Sequence, residues 1–172
     1  MSAGVPMTST VPDALELLES DHEALRQLFR DYEVLAANRA AEARRKSLAE
    51  QICLELTIHA KLEDELFYPA AREATRAGEL MDRAEVEHAT LSDLVGQILA
   101  MDAHEDLYDA KVLVLGEYAR HHFMEERDAV FPRLRASGLD LLRLGQRLAL
   151  RRGELQAVPE ALREELLASA IA

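Results

Sequence analysis

Apolar residues recur at helical spacing along most of the chain. Leu15, Leu18, Leu25, Phe29 and Tyr32 form one stripe of a 3.6-residue helix. Ile52, Leu56, Leu62, Leu66 and Phe67 form a second, and Met81, Ala84, Leu91, Val95 and Ile98 a third. Leu115, Tyr118, Ala119 and Val130 mark a fourth. The stripes predict helices ending near Ala37 and spanning roughly residues 41–68, 79–102 and 106–131. Thr10-Val-Pro-Asp13 reads as the first start, with Thr10 as cap and Pro12 in the first turn. Ser20-x-x-Glu23 is a second capping box that could divide this helix. Pro69 and Pro132 have no N–H for the carbonyl four residues earlier, so each predicts a kink or a stop. Gly78 is expected to end any continuation past Pro69.

Long amphipathic helices with short connections imply an all-α fold. The expected form is an up-down-up-down four-helix bundle over residues 12–135, with a C-terminal helical extension over 136–172. Residues 1–11 read as a loose arm. In the tail, roughly 139–151 and 160–171 are expected to be helical, with a turn from Gly153 to Pro159. The tail's leucines suit packing on the bundle or on a second subunit, which would make a homodimer.

Composition narrows the setting. At 172 residues the chain is one domain by length. A net charge of −12 argues against nucleic acid or an anionic membrane as partner. The lone Cys53 cannot form an internal disulfide and reads as a small core residue. No apolar run reaches the ~18 residues needed to span a bilayer. MSAGVPMTSTVP has neither a basic start nor an apolar stretch, so no signal peptide is expected. These features suggest a soluble protein of a reducing cytoplasm.

The apolar stripes carry polar residues where none is needed for folding. His22, His59, Glu63, His88, His122 and Glu126 all fall on the inward faces. Two copies of His-x3-Glu, His59/Glu63 and His122/Glu126, stand at the same distances before Pro69 and Pro132. Residues i and i+4 share a helix face, so each copy can aim an imidazole and a carboxylate at one point. His22 precedes His59 by 37 residues and His88 precedes His122 by 34, so each half reads as one helical hairpin. Buried carboxylates need a cation or strong donors, and these faces offer no lysine. Four imidazoles and two carboxylates therefore point to a transition-metal site rather than to a hydrogen-bonded structural network. The neighbouring pair His121 and Glu125 lies on a mostly polar face with Glu117 and Asp128 and reads as surface, as does His104.

The ordered set resembles the hemerythrin-like HHE cation-binding domains over about residues 13–135. It comprises Ser20-Asp21-His22, His59-x3-Glu63 ending in Tyr68-Pro69, Glu87-His88, and His122-x3-Glu126 ending in Phe131-Pro132. The resemblance implies a non-haem di-iron centre of the Fe–O–Fe type inside the bundle. His22, His59, His88 and His122 would be terminal ligands, with Glu63 and Glu126 bridging two iron ions. Imidazole and carboxylate donors suit iron, and also zinc or manganese.

The departures from the family bear on function. Oxygen-carrying hemerythrins are five-His proteins with a second histidine four residues away on helix three. Ala84 and Ser92 occupy the flanking positions here. The last carboxylate also follows its histidine by four residues instead of five. Six ligands would leave each metal an open position, so the expected partner is O2, nitric oxide or peroxide. Leu25, Phe29, Leu62, Leu66, Leu91 and Val95 would line an apolar pocket. Tyr118 and Glu55, one turn before His122 and His59, are candidates to complete the coordination. The favoured reading makes Tyr118 a core residue with a bonded hydroxyl and places Glu55 at the bundle edge. No Ser-His-Asp or reactive-Cys arrangement is apparent, so any catalysis would be the metal's. The expectation is a protein that binds or senses the small ligand rather than an enzyme. Alternatives are a peroxide-decomposing enzyme, iron storage or repair of iron centres, and a metal-free interaction bundle.

Overall fold

The computed structural model describes residues 11–171, with the backbone alone for 169–171. Four long helices form the bundle. α1 is Ala14–Ala37. α2 runs through Glu42–Leu62, a wide π turn at Glu63–Phe67, and Tyr68–Ala74. α3 is Gly78–Leu99. α4 runs through Tyr108–Glu125, a second π turn at Glu126–Val130, and Phe131–Ala136. Each helix packs on the next and α4 closes back on α1, giving the up-down-up-down bundle. α5 (Leu141–Gln156) lies against α1 and α2, and α6 (Pro159–Ile171) lies mainly against α3.

Several local features differ from those the sequence predicts. The cap of α1 is Asp13, not Thr10, which lies outside the described residues. Asp13 accepts from the N–H groups of Leu15 and Glu16, and Glu16 accepts from the Asp13 N–H, a complete capping box. Pro12 precedes the helix, and α1 runs unbroken past Ser20. Gly78 ends nothing: α2 stops at Ala74, and Gly78 opens α3. In the tail Gly153 is helical, so the turn is confined to residues 157–158.

The two prolines neither stop nor end their helices. The N–H of Tyr68 bonds to the carbonyl of Glu63, and that of Phe131 to the carbonyl of Glu126, five residues back. Each widened turn moves the carbonyl that the proline ring would otherwise strike, and helical bonding resumes beyond it. Both π turns begin on the glutamate of a His-x3-Glu pair.

Two apolar clusters fill the bundle on either side of the buried histidines. One includes Leu15, Leu18, Leu62, Phe67, Phe131 and Leu148; the other includes Phe29, Ile52, Val95, Tyr108, Leu115 and Phe123. Cys53 is buried in the second, where desolvation pushes its thiol up to about 12. At that end the Tyr32 hydroxyl and Arg45 both donate to Asp109, tying α1 and α2 to α4. The tail buries Leu144, Leu148, Leu155, Leu162 and Leu166 on its own bundle. No described helix is long and apolar enough to cross a membrane.

α5 reaches the start of α1 at Gly145. A Cβ there would stand 2.8 Å from Pro12 O, Asp13 C and Ala14 N, all backbone atoms that cannot rotate away. Gly145→Ala is expected to cost about 1–3 kcal/mol through this overlap. Urea unfolding checks it; an unchanged midpoint would show that α5 does not approach α1 this closely.

Candidate metal centre

All six predicted donor residues converge at mid-bundle, and each is buried. His22 comes from α1, His59 and Glu63 from α2, His88 from α3, and His122 and Glu126 from α4. They form two overlapping groups. His22, His59, Glu63 and Glu126 make one, and Glu63, His88 and His122 the other, each compact enough to hold a metal ion.

Glu63 is common to both groups and has no solvent exposure. Its Oε1 lies 3.1 Å from His59 Nε2 and 3.9 Å from His22 Nε2. Its Oε2 lies 3.2 Å from His88 Nε2 and 3.7 Å from His122 Nε2. One carboxylate thus faces an imidazole pair with each oxygen. Glu126 Oε2 lies 3.1 Å from His22 Nε2 and 3.6 Å from His122 Nε2. Despite this proximity, both Glu63 oxygens and Glu126 Oε2 are buried without a hydrogen-bond partner among the described residues. Within each pair the imidazole Nε2 atoms also face each other, at 3.1 Å for His22/His59 and 3.0 Å for His88/His122. Donor atoms crowd around shared points without bonding well to one another. A cation at those points would satisfy them, so the residues present fit metal ions.

The outward nitrogens fix the orientation. Nδ1 of His59 faces Asp21 at 3.3 Å, that of His88 faces Asp64 at 2.8 Å, and that of His122 faces Glu87 at 2.7 Å. A carboxylate on Nδ1 keeps the proton there and leaves the Nε2 lone pair directed inward. The three carboxylates follow one rule. Asp21 adjoins His22, Asp64 adjoins Glu63 and Glu87 adjoins His88, yet each serves the histidine of the next helix. Neighbours on a helix point about 100° apart, so the residue beside an inward donor faces the adjoining helix. Asp21 is also bound by Arg152 from α5.

The electrostatics of the metal-free site are those of an ion-pair network. Burial opposes a charged His59, but the Glu63 carboxylate with Asp21 outweighs it and holds the imidazole at about 10. Burial likewise opposes charge on His88, where Asp64 and Glu63 prevail and His122 opposes them, leaving it at about 9. His122 is raised well above the usual imidazole range by Glu126, Glu63 and Glu87 against the cost of burial. Burial would raise Glu63, but the imidazoles of His59, His122 and His22 hold it well below the ordinary carboxylate range.

Aromatic residues complete the site, and the sequence reading missed them. The Tyr68 hydroxyl donates to Glu126 Oε1 at 2.6 Å and stands 3.3 Å from His122 Nε2. Burial and then the Glu126 charge push this phenol well above its usual range, so it remains a donor. Phe131, its counterpart before the second proline, lies parallel to His22 with ring centroids 5.9 Å apart. Phe123 stacks on the same histidine at 4.2 Å. The tyrosine before Pro69 was visible as part of a motif, but on a regular helix it would point about 140° away from Glu63. The π turn brings it to the centre. Tyr68→Phe is expected to cost the metal-free protein about 1.5–3 kcal/mol, the range for a buried hydrogen bond to a charged group. Chemical denaturation checks this; no loss would mean that Glu126 has another donor.

Tyr118 requires correction. It is 49% exposed and lines a surface depression with Val86 and His121, so it neither sits in the core nor reaches the centre. Glu55 is half-buried in the wall of a cavity beside His59 and lies outside both donor groups. His104 and His121 are exposed, as expected. Two cavities reach the buried imidazoles from outside. One of about 420 Å³ between α1, α2 and α5 touches His59, with Leu25, Ile58 and Arg152 in its wall. The other, about 310 Å³ between α2, α3 and α6, touches His88, with Leu91 and Val95.

Known proteins resemble the chain in sequence and in shape. It is 27% identical over 151 residues to the uncharacterised protein Rv2633c of Mycobacterium tuberculosis, covering 86% of this chain and 89% of that one. An uncharacterised protein of Mycobacterium bovis matches to the same extent. A crystal structure of a hemerythrin HHE cation binding domain-containing protein from Mycobacterium kansasii, a homologue of Rv2633c, superposes with a TM-score of 0.72. That likeness covers 92% of this chain and 99% of the other at 24% identity, and establishes the fold. Residues 13–134 match the family model of the hemerythrin HHE cation binding domain. With four buried histidines and two buried glutamates gathered inside that span, the chain belongs to the hemerythrin HHE cation-binding domain family.

Proposed function

We propose that this protein holds two iron ions at His22, His59, Glu63, His88, His122 and Glu126 and uses them to bind or sense O2, nitric oxide or peroxide. The observation that carries the reading is Glu63, whose two oxygens each face a different imidazole pair. That is the disposition of a carboxylate shared between two cations. When bound, the metal pair supplies open positions and redox chemistry that the side chains lack.

The residues of the chain do the rest. Asp21, Asp64 and Glu87 hold three imidazoles with Nε2 inward. Tyr68 fixes Glu126 by one oxygen and leaves Oε2 toward the centre. Phe123 and Phe131, both buried, exclude water from the His22 side. The cavities at His59 and His88 are large enough for a diatomic molecule or peroxide to approach.

The test is a metal count on freshly purified protein, followed by absorption spectra of the ferrous form exposed separately to O2, nitric oxide and peroxide. Two iron ions per chain and a spectral change with at least one ligand are expected. A full iron complement with no response to any of the three would overturn the reading.

Decomposition of peroxide to water and O2 is the second reading. It is favoured by the Tyr68 hydroxyl, an O–H donor bonded directly to the donor cluster. Steady O2 evolution from peroxide by the iron-loaded protein would promote it over simple binding.

A further inference from the structure

A second set of metal-ligating side chains lies outside the buried centre. Glu87 of α3 and His121 and Glu125 of α4 each place a donor atom within 4.8 Å of the others. His121 and Glu125 are one helical turn apart, with Nε2 and Oε1 separated by 3.5 Å. Two ligands of a tetrahedral ion at about 2.0–2.1 Å from it stand roughly 3.4 Å apart, so this pair is already at coordination spacing. The third donor comes from a different helix, which a simple i,i+4 surface pair would not require. Two half-buried carboxylates, with side chains 26% and 28% exposed, are thereby brought together across α3 and α4. The neighbouring cation is Arg83, which bonds Glu125 at 2.5 Å and is itself 58% exposed. It can swing into solvent when a stronger cation arrives.

Glu87 connects this cluster to the interior. Its Oε2 lies 2.7 Å from Nδ1 of His122, one of the buried donors. The same carboxylate has a ligand atom within 4.8 Å of those of His121 and Glu125. A depression of about 370 Å³, lined by Glu87, Tyr118 and His121, opens the cluster to solvent.

We propose that Glu87, His121 and Glu125 form a surface site for a divalent transition-metal ion, from which ions pass inward beside Glu87 to the buried donors. The surface site stands on its own geometry; the inward passage rests on the proposed function above. One imidazole and two carboxylates, completed by water, suit zinc, iron or manganese. Arg83 is a competitor for the same carboxylates, so its removal should strengthen binding.

The experiment uses the full-length metal-free protein. Zinc titrated by calorimetry is expected to fill three sites, two tight and one weaker. His121→Ala and Glu125→Gln should each remove the weaker site and leave the tight pair intact. Arg83→Gln should tighten the weaker site about two- to fivefold, the scale of one exposed ion pair. Anomalous scattering from zinc-soaked crystals should place the third ion between α3 and α4. Binding that stops at two ions in the native protein, a third ion elsewhere, or no tightening in Arg83→Gln would overturn the site. Loss of the tight pair with the surface ion retained would instead overturn the di-metal reading and leave this site standing. For the passage, cobalt(II) uptake into the buried donors is followed by its visible absorption after rapid mixing. His121→Ala should slow uptake at least about fivefold with an unchanged endpoint; an unchanged rate would overturn it.

Discussion

Glu63→Gln is expected to leave the helical fold intact and to abolish tight uptake of both metal ions. Glu63 is the one residue shared by the two donor groups, with one oxygen toward each imidazole pair. An amide offers a single weak acceptor and turns its NH2 toward the other pair, so neither group is preserved. Metal that binds only the folded state stabilises it by about 2.7 kcal/mol for each site at a free concentration a hundredfold above Kd. Two such sites give about 5 kcal/mol, or roughly 10–20 °C in Tm for a chain of this size. Native protein should show that shift on metal addition, and Glu63→Gln almost none. Glu55→Gln is the control. Glu55 lies outside both donor groups, so this variant should retain two ions after gel filtration. If Glu63→Gln also retained both, Glu63 would not be the shared ligand.

The pH dependence should have opposite signs with and without metal. In the metal-free protein His59 titrates at about 10 and His88 at about 9, against an unfolded imidazole near 6.5. Both folded values are raised, so these groups contribute their full stability below about pH 6.5 and lose it as pH rises through 9 and 10. The metal-free protein should therefore melt at lower temperature at pH 10 than at pH 6. A ligating imidazole must be neutral, so each ion has to displace these protons. Together with His122, whose shift has the same direction, about two to three protons should be released per metal pair near pH 7.5. The product of the two binding constants should then rise about a hundred- to a thousandfold for each pH unit between 6.5 and 9. Thermal melts from pH 6 to 10 with and without metal, and calorimetry in buffers of different ionisation enthalpy, check both signs. A full metal complement retained at pH 4 would contradict histidine ligation, and so would metal binding that releases no protons.

A metal-free interaction bundle is the reading these measurements exclude most directly. Among the described residues three buried carboxylate oxygens lack a hydrogen-bond partner, a feature that such a bundle leaves unexplained. Unfolding that is indifferent to chelator and to added metal would restore it.

The chain's periodicity carried the architecture most clearly where a helix is amphipathic along its length, as α1 and α3 are. Every residue read onto the inward face of α1 is buried, from Leu15 to Tyr32. The same periodicity misplaced Tyr118. On a regular helix Tyr118 lies about 40° to one side of His122, while Ala119 lies about 60° to the other. The core is centred on the Ala119 side, along with Leu115, Phe123 and Glu126, and His121 and Tyr118 flank the solvent side. A stripe identifies a face but not its midline, and a single turn at its margin can lie either way.

The π turns were illegible for a related reason. A proline announces that the bond four residues back is missing, but kinking, stopping and widening all relieve the same clash. Packing chose widening, and that choice rotated Tyr68 onto Glu126 and Phe131 onto His22.

By itself, the sequence determined which helices form, which face of each turns inward, and that four imidazoles and two carboxylates lie on those faces, since these follow from spacing within a single helix. Tertiary structure decided which groups meet across helices. Asp21, Asp64 and Glu87 each serve a histidine on the next helix, and Arg152 reaches Asp21 from the tail. Those contacts depend on the rotation and axial offset of one helix against another, which side-chain packing sets and local spacing does not encode.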